Sequence, residues 1–114
     1  ICMAMMVSSI SCTKNERIET LHASLIAVNS ARDGFVAWDL PHQQAIVEAA
    51  TSHEQGAAAL AAYQAKRKPV VDGFEVAYRA IALAATQTDD LSLQAALATA
   101  GDLIAAVKRL IGDL

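Results

Sequence analysis

Alanine fills 25 of the chain's 114 positions, while aromatic residues make up only 4% of it and there are just two prolines and five glycines. Alanine is the strongest helix former, because it gives up no side-chain freedom in a helix and buries no polar group. Strands draw instead on β-branched and aromatic side chains, which are in shorter supply here. The chain is therefore expected to be all-α, and the roughly one hundred residues after position 12 are enough for one small domain but not two.

Periodicity divides this domain into a long antiparallel helical hairpin with a third helix packed on it, a three-helix bundle. Near the C-terminus Leu93, Leu97, Ala100, Ile104, Val107, Ile111 and Leu114 recur at spacings of four and three, the seam of one amphipathic helix. Asp89, Asp90 and Ser92 supply cap candidates and negative charge at its start, Lys108 and Arg109 suit its negative end, and Gly112 is a natural stop. A first helix starts near Asn15, with Ile18, Leu21, Leu25, Val28 and Phe35 on its seam; Arg32 interrupts that row, its guanidinium snorkelling while Ala31 takes the core place. At Pro41 two outcomes are open: Asp39 caps a new helix, or one helix from about 15 to 50 kinks there. Ser52-His53-Glu54-Gln55 reads as a capping box opening a second helix, with a core face through Leu60, Tyr63, Val70, Phe74, Ala77, Tyr78, Ile81 and Ala85, interrupted by Pro69. The third helix is expected to cover about half of the first.

The first twelve residues differ in kind from the rest. Cys2 to Val7 are apolar, Ser8 to Ser11 are small or weakly polar apart from Ile10, and every Lys, Arg, Asp and Glu lies after Cys12. An apolar run closed by small residues marks an export signal, and this one is too short to span a bilayer. Ser9-Ile10-Ser11-Cys12 resembles the lipobox of bacterial lipoproteins, although Ser9 stands where leucine is usual. The basic stretch expected upstream is missing because the chain opens on Ile1, as a fragment of a longer precursor would. The resemblance implies cleavage between Ser11 and Cys12, lipid on the Cys12 thiol, and a division into an export signal-like segment, 1–11, and a helical domain, 12–114. Thr13 after the cysteine, where aspartate would signal retention, implies the outer membrane in a Gram-negative cell. Lys14 and Arg17 would then lie close enough to touch anionic headgroups.

Cleavage would remove Cys2 and lipidation would consume Cys12, so the body would carry no disulfide framework and no thiolate zinc site. A net charge of −3 with scattered signs gives no basic footprint for nucleic acid. The triplet Lys66-Arg67-Lys68 reads as a solvated helix face. Glu19 and His22 have the Glu-x-x-His spacing of di-iron bundles, but such sites need a second pair and two more glutamates, so no metal is expected. Glu48, Glu54 and Glu75 do not complete that set. Ser52, His53 and Glu54 are neighbours in sequence and do not face one another, and no catalytic residue and no cofactor are expected. His42 and His53 are expected at a helix end and in the hairpin turn. Trp38, beside Asp39 and Pro41, is the candidate exposed anchor for a protein partner.

The resulting expectation is a small lipid-anchored helical protein of the bacterial envelope, held to the membrane through Cys12, facing the periplasm and acting by binding rather than by catalysis. A phage lysis lipoprotein resembling an outer-membrane spanin is one alternative, though those tend to be proline-rich and extended. A cytosolic helical adaptor with an uncleaved N-terminus is the other. With 54% hydrophobic residues the chain has more apolar surface than three helices of this size easily bury, which points to a homo-oligomer.

Overall fold

A computed structural model of the chain describes residues 14–87 and 89–112. They form three helices, α1 (Lys14–Ala49), α2 (His53–Thr86) and α3 (Asp90–Gly112), each packed against the other two, and the described residues include no strand. Ser11, Cys12, Thr13 and Leu114 lie outside the described residues.

Both long helices run through their prolines without a break, so at Pro41 the chain takes the single-helix outcome. Pro41 and Pro69 are exposed, and the carbonyls of Ala37 and Ala65 that lose their intrahelical donors can turn to water. Asp39 is consequently an interior helical residue and not a cap, and His42 likewise lies inside α1. The turn into α2 closes as the capping box requires, with one shift. Ser52 Oγ accepts from the Gln55 amide at 3.1 Å, but the Gln55 carboxamide accepts from the amide of Thr51, at 2.9 Å, and not from that of Ser52. At the start of α3, Asp89 is the cap, its carboxylate accepting from the Ser92 amide at 3.0 Å.

The core contains Leu21, Val28 and Phe35 from α1, Tyr63, Val70, Phe74, Ala77, Ile81 and Ala84 from α2, and six residues of α3. On α3, Leu93, Ala100 and Val107 are buried as their spacing predicts. The alternate places go to Ala96, Leu103 and Leu110, while Leu97, Ile104 and Ile111 are only half-buried. The shift follows from geometry: α3 lies in the groove between two helices, so its buried stripe is wider than a single seam and centres one residue earlier. A close approach allows this. A Cβ at Gly73 would stand 3.1 Å from Leu103 Cδ1, so glycine there lets α3 settle onto α2. Ala84, not Ala85, closes the α2 face.

On α1 the same one-residue rotation has a chemical cost. Ile18 is 56% exposed, and the buried row is Arg17, Leu21, Ser24, Val28 and Phe35, two of them polar, with Ala31 half-buried in line with them. Arg32 behaves as expected, exposed, with its guanidinium 5.9 Å from the centre of the Tyr78 ring while Ala31 packs on the core.

The molecule measures 60 × 20 × 18 Å. At about 1.5 Å per residue, the 36 residues of α1 reach about 54 Å and the 23 of α3 about 35 Å, two-thirds of α1 rather than half. Arg17 reaches Ser92, so the two helices start level and α3 runs out at about residue 37 of α1. Beyond that point the molecule is an arm only two helices thick. By length and composition α3 is also the one described helix apolar enough to cross a membrane, and here it lies against both its neighbours.

Candidate functional site

The root of the arm, where α3 ends, holds the densest group of polar and aromatic side chains. Asp39 falls four residues after Phe35 on the inner side of α1 and is buried. Its Oδ1 accepts from the Tyr63 hydroxyl at 2.6 Å and from Arg67 Nε at 3.0 Å; its Oδ2 accepts from Arg67 Nε at 3.0 Å and from Gln43 Nε2 at 3.0 Å. The heptad spacing that puts Tyr63 and Val70 on the α2 core face puts Arg67 between them. Its guanidinium is 5.7 Å from the Phe35 ring centre, and Phe35 meets Phe74 at 5.9 Å. Trp38 stacks on His42 at 4.4 Å and 13°, and both rings meet Tyr63 edge-on, at 5.8 and 4.8 Å between centroids.

Burial pushes the Tyr63 hydroxyl well above the usual tyrosine range, and the hydrogen bond to the Asp39 carboxylate adds to the shift. A tyrosine held protonated donates to Asp39 and does not act as a base. Asp39, for its part, has three donor groups around two oxygens. The geometry ties α1 to α2 at the point where the third helix no longer supports them.

The opposite end is tied by Arg17. This side chain is buried and faces inward, contrary to the expectation that it would touch headgroups. Its Nη2 donates to the Ala84 carbonyl at 3.0 Å and to Ser92 Oγ at 3.1 Å. The physical reason is the end of α2, whose last carbonyls lack intrahelical donors and carry the negative end of the helix dipole. Nη1 is buried without a hydrogen-bond partner among the described residues. Ser92 Oγ in turn contacts Asp89 at 2.9 Å, and these bonds from Ser92 hold the Asp89 carboxyl below its ordinary range.

The residues singled out from sequence are placed as follows. Trp38 is half-buried in the aromatic group rather than free-standing. Glu19 and His22 are both exposed on α1, and among the described residues no three metal-ligating side chains gather. Glu75 pairs with Arg79 at 2.5 Å on the surface of α2, and His53 is the first residue of that helix. The basic triplet splits: Lys66 is exposed, Arg67 turns in to Asp39, and Lys68 pairs with Asp72 at 2.6 Å. Sequence reasoning missed Asp39, Tyr63 and Arg67 as a group, and Arg17 as a core residue. Their signal was polar side chains at core spacing, which an apolar count passes over.

No protein-family model, curated protein or solved structure matches this chain. The site is therefore read from its own geometry. Past the Asp39 group, the arm carries shallow apolar grooves lined by Val47, Ala57 and Leu60, bordered by Gln43, Gln44 and Glu48. Val36, Leu40 and Val47 of α1 are all more than half exposed. An apolar surface on a rigid projecting hairpin is suited to contact with another macromolecule.

Proposed function

We propose that the protein is a small lipid-anchored helical protein of the bacterial envelope that acts by binding, attached to the membrane through Cys12 and presenting the α1–α2 arm to its partner. The observation that supports this reading is the polarity of the rod. The lipobox-like cysteine stands two residues before Lys14, where α1 begins, and the exposed apolar arm occupies the other end of that helix, from about 35 to about 54 Å away. A lipid at one end and an apolar contact surface at the other fit a display role. Two or more acyl chains on the cysteine would make the attachment durable, where a single chain would not.

The test is intact mass spectrometry of the full precursor expressed in bacteria with its native upstream residues, beside a Cys12→Ala version. A mass matching a chain that starts at Cys12 and carries acyl groups, lost in the variant, is the expected result. An unmodified, uncleaved chain in the soluble fraction would overturn the reading and leave the cytosolic adaptor as the better account.

A further inference from the structure

The arm's exposed surface has an internal symmetry that selects its occupant. α3 packs along the side of α2 that bears Gly73, leaving an open groove with Pro69 and Val76 on its rim. The other broad side of the hairpin is uncovered. On α1 it carries Val36, Leu40, Gln43 and Val47, at spacings of four, three and four, with exposures of 59% for Val36, 61% for Leu40 and 52% for Val47. On α2 it carries Glu54, Ala57, Ala61, Gln64 and Lys68, at spacings of three, four, three and four, all exposed. Leu60 joins the two rows, lining the groove with Val47 and Ala57.

The α1 row matches itself when reversed, and the α2 row does so to within one residue. Turned about a point between Leu40 and Gln43, the α1 row lays Val36 on Val47 of a second copy and Leu40 on Gln43 of that copy. Turned about Ala61, the α2 row lays Ala57 near Gln64 of the second copy and brings Glu54 to its Lys68. The two centres also coincide in space. The Tyr63–Asp39 hydrogen bond fixes the register of the hairpin and sets residues 41 and 42 of α1 beside residues 60 and 61 of α2. One axis therefore serves both rows.

We propose that this face is a self-association surface, on which a second copy of the chain docks antiparallel about a two-fold axis passing near Pro41 and Ala61. Charge selects the direction. A two-fold axis along the helices would lay α1 on the α2 of the second copy and set Glu54 and Lys68 opposite the levels of Val47 and Val36, whereas the antiparallel pair opposes unlike charges at both ends. Glu54 makes no ion pair among the described residues, and the pair of Lys68 with Asp72 is an exposed i,i+4 contact that is given up at little cost. The product is a four-helix bundle made from two arms, which gives each hairpin apolar cover on the side that faces away from α3. It also puts the two α1 N-termini at opposite poles of a rod about one and a half times the length of one molecule.

This inference rests on the reading of the arm as an interaction surface, but not on the lipid, and the test separates the two. Sedimentation equilibrium is run on the full chain with Cys2→Ser and Cys12→Ser, from low micromolar to near-millimolar concentration, so that neither acyl chains nor a disulfide can join copies. A reversible dimer is expected. Leu40→Glu, at a position open to water in the monomer, is expected to give a monomer with an unchanged circular-dichroism spectrum. Glu54→Lys and Lys68→Glu are each expected to weaken the dimer about tenfold, since symmetry applies every change twice, and the double exchange to restore it.

A chain that stays monomeric throughout overturns the proposal. So does a dimer that tolerates Leu40→Glu, or a double exchange as weak as its parents. If the chain is monomeric but floats with anionic vesicles in a Leu40-dependent way, the face is a membrane contact instead, and the proposal fails. Loss of lipidation in the mass-spectrometry test leaves all of these outcomes unaffected.

Discussion

Replacing Asp39 by alanine tests whether the polar group at the root of the arm holds the hairpin together. The substitution removes the acceptor for three donors, and their surroundings decide the cost. The Tyr63 hydroxyl belongs to a residue only 4% exposed and would be left buried without a partner, at about 1–3 kcal/mol. The Arg67 side chain is 33% exposed, so water takes over part of its role and its lost pairing adds no more than about 1 kcal/mol. Gln43 is half-buried beside an exposed stretch and rehydrates at little cost. The expected loss is therefore about 1–4 kcal/mol, or about 5–20 °C in Tm for a domain of this size.

Urea unfolding followed by far-ultraviolet circular dichroism measures this loss as a drop in midpoint at unchanged slope. A second comparison isolates the orphaned hydroxyl. Tyr63→Phe removes the donor itself, so the Asp39→Ala/Tyr63→Phe double variant should be more stable than the sum of the single losses predicts, by about 1 kcal/mol. A loss for Asp39→Ala within about 0.5 kcal/mol, or strict additivity in the cycle, would refute the assignment of this group as the tie between α1 and α2.

Pro41→Ala should raise stability by about 1–3 kcal/mol, because α1 continues through this exposed position and alanine restores the amide donor to the Ala37 carbonyl. Thermal unfolding reads the sign, and a loss would mean that the arm needs a bend at Pro41 to close on α2. Stability should also fall on the alkaline side: burial and the bond to Asp39 hold the Tyr63 hydroxyl above the ordinary tyrosine value of 10.0, so its contribution is complete below that pH and is lost as pH rises past it. Unfolding midpoints of the wild type and Tyr63→Phe, measured across that range, should converge as pH increases; a constant difference would contradict the buried hydrogen-bonded assignment.

The helical class and the three-helix division were legible because alanine, the capping signal at Ser52 and the seven-residue spacing all point the same way. Rotational phase was harder to read. Leu93, Ala100 and Val107 were correctly placed on the core, but Ala96 and Leu103 were passed over for Leu97 and Ile104, which are as apolar as the residues they displaced. Nothing in a one-helix pattern says that α3 will face two partners and centre its stripe between them. The candidate site was less legible still, because Arg17 and Asp39 break the apolar rule that locates a seam. Each is charged, each sits at core spacing, and each is bonded to residues more than twenty positions away.

Those two departures compensate for what alanine leaves undetermined. An alanine-rich interface lets helices approach closely, but one alanine packs much like the next, so slipping one helix along another by a turn costs little in apolar contact. Arg17 and Asp39 make such a slip expensive. Moving α1 by one turn, about 5.4 Å, would take Asp39 from the Tyr63 hydroxyl and Arg67, and Arg17 from the Ala84 carbonyl and Ser92, leaving buried charged groups unpaired at both ends of the hairpin. The core row supplies the apolar burial and the two polar ties set the register. The same register brings the Leu40 and Ala61 levels side by side, so the self-complementary face of the arm depends on buried polar residues that never reach that surface.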